Sequence, residues 1–159
     1  MTRLIHSLMA VLLMALSGAT WAQLANDPFA AAITLSGNAT QSTGSNVGAT
    51  SEPGEPVHAG VGGGASVWWQ WTASASLVTT IDTFGSNFDT VLAVYTGNTV
   101  NALTTIGSND DAGSGLQSQV RFTAVAGTTY RIAVDGFAAA RGNIVLNLLS
   151  ADPAPVLSS

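Results

Sequence analysis

The chain of 159 residues sets nine Asp and Glu against four Lys and Arg, for a formal net charge of −5, and holds no cysteine. No lysine is present, and scattered arginines cannot build the basic patch that phosphate backbones require, which excludes nucleic acid as a partner. The missing cysteines exclude disulfides and thiolate metal sites, and leave a bound divalent cation as the natural cross-link in an exported domain.

Residues 1–22 combine a basic start at Arg3, an apolar run over residues 8–16 and a small-residue ending at Ala22. This is the pattern of a secretory signal peptide, with an apolar stretch shorter than the roughly 20 residues a membrane span needs. No second apolar span follows, so the exported chain is not expected to insert into a membrane. Its destination is the periplasm, the cell surface or the medium. With Arg3 removed, three Arg face nine acids and the charge becomes −6. Residues 23–150 make one domain's worth of chain, and residues 151–159 read as a polar tail or linker.

After the leader, Asn26-Asp27-Pro28 opens a single helical turn, with Asn26 or Asp27 as its cap, that runs into a strand near Ile33. Residues 37–64 are rich in Gly, Ser, Thr and Asn, and a short strand is expected inside them over residues 42–49. Residues 66–72, Ser-Val-Trp-Trp-Gln-Trp-Thr, form a strand whose two-residue period puts Val67, Trp69 and Trp71 on the core face. Trp68 then faces the other way, either exposed as a platform for sugar rings or protein side chains, or covered by the 37–64 loop. Residues 78–83 and 90–95 read as a strand pair joined by the Gly85-Ser86-Asn87 turn. Strands over residues 103–107, 120–124, 130–135 and 144–149 complete the set. Short strands at regular spacing and almost no helical periodicity predict an all-β, antiparallel β-sandwich of jelly-roll type.

Two regions gather oxygen donors suited to calcium: Asn26 and Asp27 with Glu52 and Glu55, and the run Asn109, Asp110 and Asp111. The alternative for either is turn chemistry, since Asp and Asn side chains hydrogen-bond nearby backbone. Asp89, where a turn enters a strand, reads as a cap on backbone amides ahead of a metal ligand. His58 is the one histidine of the exported chain and has no second His or Cys to complete a zinc site. No Ser in a G-x-S-x-G elbow is present, and Gly62-Gly63-Gly64 precedes a strand and not a helix, so neither a serine hydrolase nor a phosphate cradle is indicated.

The segments NDPFAAAITLSG, GATSEPGEPVHAG, SVWWQWTA, IDTFGSNFDTVLAVYTG, SNDDAGSG, VRFTAVAGTTYRIAVDG and GNIVLNL together resemble the bacterial pre-peptidase C-terminal type of domain, over residues 26–149. That resemblance implies a jelly-roll sandwich acting as a non-catalytic appendage of secreted proteins, with the calcium-binding collagen-binding domains of clostridial collagenases as relatives. In those relatives an acidic N-terminal segment works with a carboxylate pair just before the aromatic strand. Asn26-Asp27 matches the first part, while the second holds Gly62-Gly63-Gly64-Ala65 without a carboxylate, leaving Glu52 or Glu55 to replace it.

The reading is an exported, non-enzymatic module for adhesion, substrate targeting or structure, stabilised by calcium, whose partner is an extracellular protein or polysaccharide. One alternative is a carbohydrate-binding module with Trp68 on an exposed face. The other is a glycoside hydrolase that pairs carboxylates among Glu52, Glu55, Asp110 and Asp111.

Overall fold

The computed structural model describes residues 24–152; the expected signal peptide, residue 23 and residues 153–159 of the expected tail lie outside the described residues. Nine strands form, in chain order β1 (Ile33–Leu35), β2 (Ala39–Ser45), β3 (Val67–Thr72), β4 (Val78–Asp82), β5 (Thr90–Thr96), β6 (Thr104–Asn109), β7 (Gln119–Thr123), β8 (Thr129–Gly136) and β9 (Asn143–Ala151). They build a β-sandwich: one sheet in the order β1-β3-β8-β5-β6 faces a second in the order β2-β9-β4-β7. The all-β sandwich matches the sequence expectation, with one parallel pair, β1 on β3, in an otherwise antiparallel arrangement. No helix among the described residues is long and apolar enough to cross a membrane.

The two-residue period explains the core. Val67, Trp69 and Trp71 of β3 point between the sheets with Leu92 and Val94 of β5 and Ile132 and Val134 of β8, against Ile81, Val120, Ile144, Leu146 and Leu148 of the other sheet. Trp69 crosses the gap: its Nε1 donates to Ser42 Oγ at 3.0 Å, and a Cβ at Gly44 of β2 would meet the indole at 3.0 Å. Only glycine on β2 leaves room for that ring.

Three local expectations change. The turn near Pro28 is a single 3-10 turn over Phe29–Ala31 with no side-chain cap, because Asn26 and Asp27 are engaged elsewhere. The strand expected over residues 42–49 is β2, shifted toward the N-terminus, and the chain from residue 46 to 66 is loop. Finally, β4 and β5 do not form a hairpin. They lie in different sheets, and residues 83–89 carry the chain across the end of the sandwich. A buried hydroxyl network fixes that crossing: Thr83 Oγ1 lies 2.6 Å from Thr90 Oγ1, and Thr83 N donates to Ser118 O at 3.0 Å. The chain is thereby pinned to the β6–β7 loop and not turned back on β4.

By this topology four loops meet at one end of the sandwich: residues 46–66, 83–89, 110–118 and 137–142. Every candidate site described next lies in or against them.

Candidate functional site

The outer face of the five-stranded sheet carries a second, smaller apolar cluster of Phe29, Trp68, Ala93, Tyr95 and Ala133. Trp68 is 0% exposed, so it offers no platform for a sugar ring. The physical reason is cover from two segments: Phe29 of the 3-10 turn meets Trp68 edge-on with centroids 5.1 Å apart, and His58 of the 46–66 loop covers it at 5.6 Å. The period places Trp68 on the outer face; the turn and the loop then bury it.

That loop is held by acids. Asp27 accepts from Thr50 N at 2.9 Å, Glu52 accepts from Phe29 N, and Asn26 Nδ2 donates to Trp68 O at 3.2 Å. Glu55 accepts from Glu52 N at 2.8 Å and sits 2.8 Å from His58 Nε2, while His58 Nδ1 lies 2.7 Å from Tyr95 Oη. Burial works against the ionised Glu55, but the hydrogen bonds and charge of its neighbours outweigh it and hold its carboxyl below the usual range. Burial and the Glu55 charge push the Tyr95 hydroxyl well up, which keeps it a donor. Asp135 of β8 holds the far side of the loop, accepting from Gly64 N and Ala65 N at 2.9 Å each and from Gly136 N at 2.7 Å.

A cavity of about 320 Å³ opens between Glu52, Glu55, His58, Gly62–64 and Asp135. The four residues Asn26, Asp27, Glu52 and Glu55 are thus brought near one another, with Asp27, Glu52 and Glu55 fastening backbone N–H groups and Asn26 fastening the Trp68 carbonyl. Among the described residues they do not bring three ligand atoms together as the aspartates described next do. Since the pKa of Glu55 is lowered by folding, its ionised form stabilises the fold above the unfolded carboxylate range, and that contribution disappears as pH falls through the folded value. Glu55→Gln should therefore lower the melting temperature at pH 7, and the gap to wild type should shrink as pH falls through and below the unfolded carboxylate range. A gap that is constant with pH would assign Glu55 a packing role only.

The second oxygen-rich region does converge. Asp89, at the end of the crossing, joins Asp110 and Asp111: among the described residues these three bring carboxylate oxygens within 4.8 Å of one another. Ser118 Oγ, 2.6 Å from Asp110 O, and Asn109, whose Oδ1 accepts from Gln119 N at 2.9 Å and whose Nδ2 donates to Asp111 O at 3.0 Å, shape the loop beneath them. Asn109 is therefore a loop fastener, and Asp89 supplies the third carboxylate. Asp89 Oδ1 and Asp110 Oδ1 are shielded from solvent with no hydrogen-bond partner. Burial, then the Asp111 charge, pushes the Asp89 carboxyl up; burial, then Asp111 and Asp89, does the same to Asp110. The sequence places Asp89 some twenty positions from the pair, in a context where capping is the ordinary role; only the antiparallel pairing of β5 with β6 brings them together.

No family model and no curated protein matches the chain. Among solved structures, it is similar to a periplasmic lysozyme inhibitor of g-type lysozyme from Aeromonas hydrophila, at 17% identity and a TM-score of 0.51, over 76% of this chain and 96% of that one. It is also similar to the pre-peptidase C-terminal domain of a collagenase from Bacillus anthracis, at 13% identity and a TM-score of 0.47, over 76% and 94%. At such identities the likeness bears on the fold alone, a β-sandwich.

Proposed function

We propose that the chain is an exported, non-catalytic binding module of the pre-peptidase C-terminal type, whose partner is an extracellular protein and whose loops at one end are ordered by a calcium ion. The observation that carries the reading is the aspartate cluster. Two solvent-shielded carboxylate oxygens without partners, on acids whose pKa values are raised, are what a hard cation relieves. Asp89, Asp110 and Asp111 would hold the ion, and an all-oxygen set without His or Cys suits calcium over zinc. Calcium would supply a cross-link between the 83–89 and 110–118 loops, a role that disulfides cannot fill here.

Two features support a binding role over a hydrolytic one. The paired acids at Glu52 and Glu55 are occupied by backbone N–H groups and His58, and the aspartates repel one another with no separate acid and base environments. The likeness in fold to a periplasmic lysozyme inhibitor supports the same reading.

Calorimetric titration of the purified protein with calcium tests the site. One ion per chain should bind, and Asp110→Asn should weaken it at least tenfold, while Glu52→Gln should leave it unchanged. Equal weakening by Glu52→Gln, or no heat in wild type, would refute the assignment.

A further inference from the structure

The charges and the exposed apolar side chains of this protein are distributed with the same asymmetry. Of its nine acids, all but Asp152 lie in the four clustered loops, at their strand ends, or bonded to them. Of its described arginines, Arg121 and Arg131 lie on strands, with Arg131 reaching Gly97 O toward the opposite end. Arg141 is the exception at the loop end, and it is spent internally on Asn46 O and Ala49 O, at 3.2 and 2.8 Å.

Five large apolar residues stand exposed in the same loops: Val47, Val57, Phe84, Leu116 and Phe137. The loops of the opposite end expose one, Val125. Two of the five flank the aspartate cluster directly. Phe137 N donates to Asp89 O at 3.0 Å, and Thr90 N to Leu116 O at 2.9 Å, so both apolar residues are tied to the backbone of Asp89 and its neighbour. Asp135, on the acidic cavity, is the cross-strand partner of Val91, two residues beyond Asp89, so cavity and cluster adjoin.

We infer that this loop end is a docking surface for a protein that presents Lys or Arg side chains beside an apolar one. The cations face the negative potential that Glu52, Glu55 and Asp135 set up around the cavity, without displacing the backbone N–H groups these acids hold, and the apolar group packs on Leu116 and Phe137. Charge complementarity selects the partner: a chain of net charge −5, with its acids at this end, steers toward cationic protein and away from anionic lipid. Clustered exposed aromatic and aliphatic side chains beside polar groups are the composition of an interface centre. This rests on the binding-module reading above and deepens it. With calcium seated among the three aspartates their charge is largely neutralised, and the acids of the cavity keep the end negative.

The test is selection of 12-residue peptides from a random display library on the purified protein in 1 mM calcium, followed by affinity measurement with the synthetic winners. Lys- or Arg-bearing peptides with an aromatic or aliphatic residue should be enriched. Leu116→Ser with Phe137→Ser should weaken them at least tenfold, and Val125→Ser should not. Neutral or acidic winners, no winners, equal loss in Val125→Ser, or partition of the protein onto phosphatidylglycerol vesicles in place of peptide binding would overturn the surface. Calcium titration of the Leu116→Ser, Phe137→Ser variant separates the two claims, since neither side chain is a ligand: retained calcium binding without peptide binding removes the docking surface alone.

Discussion

Replacing Asp135 by Ala should destabilise the protein by about 3 kcal/mol, lowering its melting temperature by about 10 °C. The side chain is 3% exposed and accepts from three backbone N–H groups, those of Gly64, Ala65 and Gly136. Removing it strands those donors where water has little access, and each unpaired buried group costs about 1 to 3 kcal/mol. The damage should be local first. Gly64 and Ala65 close the 46–66 loop, so the variant should be cut by protease within that loop while β3 and β8 remain protected. Asp135→Asn, which keeps an acceptor oxygen, should recover part of the loss. If the alanine variant melts within 2 °C of wild type, and its loop resists protease, the carboxylate does not hold the loop.

Trp69→Ala should cost about 4 kcal/mol, as expected for deleting a large buried aromatic. Trp69 is fully buried between the sheets and its indole is hydrogen-bonded across the sandwich to Ser42. Phenylalanine should restore only part, because Ser42 then loses its partner and the space beside Gly44 is left unfilled. Trp68 makes the contrast. It is as deeply buried, but its Nε1 has no hydrogen-bond partner, so Trp68→Phe should cost less than about 1.5 kcal/mol. Urea unfolding of the two phenylalanine variants measures the difference. Equal losses would mean that the Ser42 hydrogen bond contributes nothing.

The strands were legible because every second residue of β3, β8 and β9 joins the same core between the sheets, and Gly, Asn and Asp punctuate them. Periodicity assigns a side chain to a face and is silent on what covers that face, which is why Trp68 could be placed outward but not known to lie under His58 and Phe29. A turn signal is equally silent on whether the chain returns to its own sheet. Gly85-Ser86-Asn87 between two β runs has the grammar of a hairpin, and the crossing is decided by Thr83 and Thr90 together with Ser118, far downstream in sequence. Asp110 and Asp111 were visible as a pair of adjacent acids. Asp89 joins them only through the β5–β6 pairing, and the acids near Pro28 and Pro53, alike in composition, serve as loop fasteners.

Thermal unfolding in EDTA and in 1 mM calcium, for wild type and for Asp89→Asn with Asp110→Asn, tests the calcium-ordered loop end most directly. A ligand that binds only the folded state at about a hundred times its Kd adds about 2.7 kcal/mol. The account predicts that calcium raises the wild-type midpoint by about 10 °C, and that the double variant melts above wild type in EDTA, its repulsion relieved, with no further gain from calcium. A wild-type midpoint indifferent to calcium, or an equal rise in the double variant, would contradict it.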